Sequence, residues 1–331
     1  MAFGSIIAAH RSASIHPRVS PVSRATCLVI FLLLATGIIA SLATGFMLAS
    51  LPNILLLIIG ALIIDVLLIH FAPRIVLIDT IQSALYGVLC MIIIAVCAVL
   101  AAYSLQRLDF PLRDNLLTHL DAAMGLSWPA YAHWVDNHAI VQAIFHAAYD
   151  SISLQIMLPV VVLAFLHRQD EARVYILAFA VALTITLFIS ALMPAVGPVV
   201  FVNRATFHIL HFTGATPFHQ LMRLREAGPL IQQAFPGGIA TFPSFHATVA
   251  ILTPLSLYRH RRICLTLVVF NLAMLGGTVS EGAHYFIDVV AGSFMAFFAY
   301  ALAVHIIRLE DTLFSRDAHA ARNYAPADVP A

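Results

Sequence analysis

Two short runs hold the residues whose types and spacing could do chemistry. The first is Phe242-Pro243-Ser244-Phe245-His246-Ala247-Thr248. The second is Ser280-Glu281-Gly282-Ala283-His284-Tyr285-Phe286-Ile287-Asp288, with Ala291-Gly292 after it. His284 and Asp288 stand four apart, which sets both on one face if the run is helical. A carboxylate beside an imidazole fixes its tautomer and stabilises an imidazolium or a phosphorylated ring, the logic of a base held by an orienting acid. In the first run a proline opens a helix where its missing N–H is not needed. The next amides leave the helix end beside the Ser244 hydroxyl, an anion cradle with His246 one turn in.

The elements that must position these runs are membrane helices. Of 331 residues, 61% are hydrophobic and only 10% charged, and the mean hydropathy is +0.95. That leaves too little polar surface for a water-soluble body and excludes a disordered chain. The net charge of +1 offers no field for a polyanion, so no nucleic-acid partner is expected. All 17 basic residues are arginine. Without lysine there is no Schiff base, no phosphate-loop lysine and no lysine general base. Apolar runs long enough to span recur at about 26–48, 53–71, 82–104, 139–166, 173–193, 243–258, 263–281 and 284–308. The expected fold class is all-α, a polytopic membrane helical bundle of about eight transmembrane helices. The run at 26–48 is too long for a signal core and reads as the first helix. The tail from Asp311 reads as polar and mobile.

Arginine placement sets the expected orientation. With the N-terminus in the cytoplasm, twelve arginines fall on the cytoplasmic side, among them the tight Arg259-His260-Arg261-Arg262 turn, and five on the other. Both termini are then cytoplasmic, and His246 and His284 meet at the non-cytoplasmic mouths of their helices. Two segments on that side are long. Residues 105–138 hold Asp109, Asp114, Asp121, Asp136, Trp128 and Trp134, with an interfacial helix expected near 113–124 presenting Leu116, Leu117 and Leu120. Residues 194–242 are rich in His, Arg, Gly and Pro. Cys27, Cys90, Cys97 and Cys264 read as small hydrophobes. His208, His211 and His219 have zinc-like spacing without a Cys or acidic partner, and no metal is expected. His119, His146, His167 and His305 read as packing residues. Asp65 and Asp150 sit within apolar runs; Asp150, after Tyr149, is a candidate acceptor behind the site.

Together the runs resemble the type 2 phosphatidic acid phosphatase superfamily over roughly residues 105–305. Pro243-Ser244-Phe245-His246 is similar to its Pro-Ser-Gly-His signature, and His284-x3-Asp288 to the end of its Ser-Arg-x5-His-x3-Asp signature. Thr278 stands where that arginine would be, and the Lys-x6-Arg-Pro signature is missing. These departures look like the branch of inositol phosphorylceramide synthases and their bacterial relatives, with Phe-Pro-Ser-x-His and Gly-x-His-Tyr-Phe-x-Asp-x-x-x-Gly. Asp121 to Trp128 and the Leu224 to Gly228 run also look similar.

The resemblance implies a six-helix phosphatase-like core and a lipid phosphatase or phosphotransferase without cofactor. His284 would be the nucleophile, Asp288 its orienting acid, and His246 the acid for the leaving group. Ser244 and neighbouring amides would hold phosphate oxygens. A phosphoryl transition state needs further positive charge, for which Arg223, Arg225 and then Arg204 are the candidates, with Asp150 and Tyr149 behind. The implied organisation is a cytoplasmic segment 1–25, N-terminal helices 26–104, a catalytic membrane domain 105–308 and a cytoplasmic tail 309–331. The implied partner is a lipid phosphate of phosphoinositide, ceramide or diacylglycerol type, met at the periplasmic face of a bacterial inner membrane. The competing readings are a proton-coupled transporter using Asp65, Asp150 and the histidines, and a non-catalytic lipid-binding relative.

Overall fold

The computed structural model describes residues 22–49, 51–71, 76–208, 210, 215–226, 230–232 and 241–323. In chain order the elements are α1 (Arg24–Thr44), β1 (Phe46–Leu48), α2 (Leu51–Phe71), α3 (Val76–Gln106), α4 (Asp114–Ala123), α5 (Trp128–Asp136), α6 (Ala139–Asp150) and α7 (Ile152–Phe165). After these come α8 (Gln169–Leu192), α9 (Ala215–Arg225), β2 (Leu230–Gln232), α10 (Phe245–Ser256), α11 (Arg261–Ser280) and α12 (Phe286–Asn323). The fold is an all-α membrane bundle. Helices α1, α3, α8, α11 and α12 are each long and apolar enough to cross a bilayer; α2 and α10 are shorter apolar helices.

Each of the eight expected spans meets a helix, with differences that have local causes. The expected span 139–166 is two helices, α6 and α7, bent by 55°. Between them the Ser151 hydroxyl donates to Ala148 O at 2.6 Å and accepts from Gln155 at 2.9 Å. A side chain that bonds its own backbone in this way competes with the helical ladder. The expected mobile tail from Asp311 is helical to Asn323, because no glycine or proline interrupts it. Its start is tied to the bundle: Arg173 reaches Asp311 at 3.2 Å, and Glu310 accepts from Ala25 N at 2.6 Å.

The buried centre lies where α3 and α8 meet α10 and α12, around Met91, Ile94, Ile176, Phe179, Leu252 and Ala299. On α12 the small residues Ala296, Ala299 and Ala303 are fully buried, while Phe294, Phe297 and Phe298 face outwards. Small side chains on one stripe let backbones approach where no water drives association. β1 and β2 form a two-stranded parallel pair, Phe46 opposite Leu230, that ties the first helical connection to the long 194–242 segment. Around it Phe46 packs on Leu100, Tyr103 and Leu224. No local pattern in the sequence marks either strand.

The expected interfacial helix is α4, but its faces are otherwise arranged. Leu117 is buried beside Asp114 and Asp121, while Leu116 and Leu120 are exposed. Positions three and four apart share a face, so the inward stripe here carries two carboxylates.

Candidate active site

Three helix ends meet at the site. Ser244 is the N-cap of α10, in extended conformation, and its Oγ accepts from Ala247 N at 3.4 Å. His246 is the second residue of that helix. Pro243 lies one residue before the cap, rather than in the first turn. From the other side α11 ends at Ser280. Its last carbonyls are satisfied by side chains of α5, Trp128 Nε1 on Val279 O at 2.8 Å and Tyr131 on Gly276 O at 3.1 Å. Helix α12 begins at Phe286.

His284 therefore precedes α12, and its link to Asp288 is not the helix-face pairing expected from a spacing of four. Ala283 has φ +51, a conformation that stops a helix. A side chain at Gly282 would meet Tyr149 and the His284 ring at 2.8 and 2.9 Å. Asp288 is the third residue of α12. Its Oδ2 accepts from Tyr285 N at 2.9 Å, half of a capping box. The same oxygen contacts His284 Nδ1 at 3.2 Å. Asp288 is wholly buried, and among the described residues its Oδ1 has no hydrogen-bond partner. With the Nδ1 proton given to Asp288, the lone pair of His284 sits on Nε2.

The two motifs are joined through backbone. Ser244 N donates to Asp288 O at 3.0 Å, and Thr248 Oγ1 donates to Gly292 O at 2.9 Å. The His246 and His284 ring centroids are 6.4 Å apart. Tyr149 stacks flat on His246, 4.0 Å between centroids and 7° between planes. His246, His284, Asp288, Ser244 and Tyr149 are thus one cluster.

The other expected residues have different surroundings. Asp150 is 58% exposed and contacts His146 Nε2 at 3.3 Å. His146 Nδ1 in turn meets Glu281 Oε2 at 3.1 Å, and Gln142 donates to Glu281 at 3.2 Å. Burial raises the Glu281 carboxyl above its ordinary range, against the lowering effect of those two partners. Arg225 is 12% exposed and engaged by Asp109 at 3.0 Å and Phe110 O at 2.9 Å; a phosphate would have to compete with that pair. Arg223 is exposed. The side chains of Arg204 and Asp65 lie outside the described residues, as does His211. Thr278, in the place of the signature arginine, is wholly buried and bonds Met274 O of its own helix. Among the described residues no three His, Cys, Asp or Glu side chains group as metal ligands, and His208 and His219 are exposed.

The PAP2 superfamily profile matches residues 115–302, more than half of the chain. The chain belongs to the PAP2 superfamily. No curated protein and no solved structure matches it. The matched span begins in α4 and ends inside α12, so it takes in both histidines and leaves α1 to α3 outside. Enzymes of the PAP2 superfamily are generally phosphatases and phosphotransferases, and a multi-pass member fits lipid phosphates in a bilayer.

Sequence reading missed the buried polar groups around the cluster. Glu281 is one of them, and the signal that marks it is an acid at the end of an apolar run. Asp114, Asp121 and Asp136 are buried acids that accept backbone N–H groups from other segments. Nothing in one sequence distinguishes them from interfacial acids.

Proposed function

We propose that the protein is an integral membrane lipid phosphatase or phosphotransferase that works through a phosphohistidine. One observation carries the reading: His284 Nδ1 lies 3.2 Å from a buried carboxylate oxygen of Asp288, with the His246 ring beside it. His284 Nε2 attacks phosphorus, and the bond from phosphorus to the lipid alcohol oxygen breaks. His246, as the imidazolium, gives its proton to that oxygen. Asp288 stabilises the positive charge that the modified ring carries. Water or a second alcohol then attacks phosphorus and passes its proton to His246. The P–N bond breaks, and His284 is restored.

Two helix N-termini meet at the site, and they differ. The first amides of α12 and the Tyr285 amide are already held by carboxylates. The first turn of α10, shaped by its Ser244 cap, is the end that serves phosphate oxygens. Arg223 and Arg204 supply the remaining charge, and Arg225, held by Asp109 and Phe110 O, anchors the end of α9 that carries Arg223. No metal enters this scheme.

The Phe-Pro-Ser-x-His and Gly-x-His-Tyr-Phe-x-Asp patterns favour the transferase branch, resembling inositol phosphorylceramide synthases. The arginine-rich ends of α10 and α11, opposite the histidines, favour a periplasmic site in a bacterial inner membrane with cytoplasmic termini. The test is phosphate release and headgroup transfer by purified protein over a panel of lipid phosphates and acceptor alcohols, wild type beside His284→Ala. Loss of free phosphate in the variant is the expected phosphatase result; variant-sensitive transfer assigns the transferase. Neither product from wild type overturns the reading.

A further inference from the structure

The loop that carries His284 is held at nearly every residue, His284 itself by Asp288 and by Thr278 O, which accepts its N–H at 3.4 Å, and two further holders come from one face of α4. Asp114 Oδ1 accepts from the Tyr285 hydroxyl at 3.0 Å, from Gly197 N at 2.9 Å and from Val196 N at 3.0 Å. Asp121 lies two turns further along the same helix. Its Oδ2 accepts from Phe286 N and its Oδ1 from Ile287 N, both at 2.9 Å. Gly197, at φ +88, presses against the same loop: a Cβ there would stand 2.5 Å from Ala283 O. The segment that Asp114 fixes is thus the one that backs Ala283, and Tyr285, Phe286 and Ile287 are fixed directly. All three side chains, Asp114, Asp121 and Tyr285, are buried.

We propose that Asp114 and Asp121 are positioning residues for His284, a two-point clamp from α4 that sets where the imidazole stands between Asp288 and His246. The inference rests on the reading of His284 as nucleophile. Simple capping of α12 accounts for Asp121 but not for Asp114, which binds the residue after His284 together with Val196 and Gly197, the entry to a short 3-10 turn behind Ala283. Burial of carboxylates is costly unless they are fully hydrogen-bonded, and these two spend that cost on five residues of chain around one side chain.

The chemistry of the two acids differs in a way that makes the test specific. At Asp114 Oδ1 takes all three donors and Oδ2 only shares Val196 N at 3.2 Å, so an amide oxygen at the Oδ1 position keeps most of the contacts. At Asp121 each oxygen takes one N–H, so an amide sets an NH2 group against a backbone N–H. Asp121→Asn is therefore expected to cost more than Asp114→Asn, while Asp114→Leu removes the clamp's first point. The protein is assayed whole in detergent for kcat and KM on the lipid phosphate it turns over best. Asp121→Asn and Asp114→Leu are each expected to lower kcat about 10- to 100-fold, as an ångström-scale misplacement does, with KM changed less than about threefold and most of the protein still folded at the assay temperature. Hydrogen–deuterium exchange is read in parallel, and should rise in peptides covering 282–290 but not in α8. Wild-type kcat in both variants, a fall only in proportion to unfolded protein, or unchanged exchange across 282–290 overturns the clamp. If the wild type shows no His284-dependent turnover, the function reading fails on its own, and the exchange measurement still decides the clamp.

Discussion

Gly292→Ala is a small perturbation that should separate the two catalytic motifs. Gly292 lies on α12 one turn past Asp288, and a Cβ there would overlap the Ser244 carbonyl oxygen and press on the Ala247 side chain at 3.1 Å. The obstacle is backbone, not the end of a flexible side chain. Ordinary contact begins at 3.4 Å, so α10 and α12 must part by about 1 Å or more. That parting stretches the Ser244 N to Asp288 O bond and the Thr248 bond to Gly292 O. It also moves His246 away from His284. A displacement of that size costs about 100-fold in rate when reacting groups are held for attack. Helix propensity works the other way, since alanine is favoured over glycine by about 1 kcal/mol in a helix interior. The assay is kcat for phosphate release or transfer, beside the thermal transition in detergent. Gly60→Ala is the matched control, because nothing lies within 4 Å of a Cβ there. If Gly292→Ala keeps kcat within threefold of wild type, the motifs are not geometrically coupled through this contact and the reasoning fails.

His284→Ala should abolish turnover, since no covalent route remains; residual His284-independent release would contradict the phosphohistidine. His246→Ala should lose about 10²–10⁴ in rate on the natural ester and less on an ester with a good leaving group, so equal losses on both would remove its role as acid. EDTA should leave the rate unchanged, and strong inhibition reversed by a divalent cation would bring a metal into the scheme. A cysteine placed at residue 240 should react with a periplasm-restricted reagent; protection there and labelling at the Arg259–Arg262 turn would invert the topology. For Glu281, the folded carboxyl is raised by burial, so its contribution to stability is full below the ordinary value of 4.5 and is lost as pH rises through the folded value. The thermal transition of wild type minus that of Glu281→Gln should therefore be most positive at acid pH and fall as pH rises, and the opposite slope would refute the burial argument.

The helical stretches and the meeting of His246 with His284 were legible because bilayer thickness and the Pro-Ser-x-His and His-x3-Asp patterns act over short ranges of sequence. What was not legible depends on a single side chain or backbone conformation, or on contacts from far along the chain. The break at Ser151 is written in one hydroxyl inside a continuous apolar run. The spacing of His284 and Asp288 looks helical, yet Ala283 at φ +51 puts the histidine outside α12. Asp150 sits in an apolar run beside Tyr149, but the two side chains part, one to His146 and the other onto His246. The pairing of Phe46 with Leu230 joins segments that no local pattern connects.

The last question is whether Ser244 touches phosphate or shapes the turn that does. Its side chain has no exposure, and its Oγ sits 3.4 Å from Ala247 N, near the limit for a hydrogen bond. A cap this long is expected at the low end of capping energies, about 0.5 kcal/mol. A hydrogen bond to a charged phosphate oxygen is worth more, about 1.5–3 kcal/mol, or roughly a tenfold to hundredfold change in kcat/KM. The two roles therefore separate in Ser244→Ala. Because the hydroxyl is covered and already faces the helix, the expected outcome is a small fall in the thermal transition and a fall in kcat/KM of less than about threefold. A tenfold or greater fall in kcat/KM with an unchanged thermal transition would put the hydroxyl on the phosphate. The first turn of α10 would then have to open to admit it, since in its present position the serine is shielded by the same contacts that bring Asp288 and Gly292 against it.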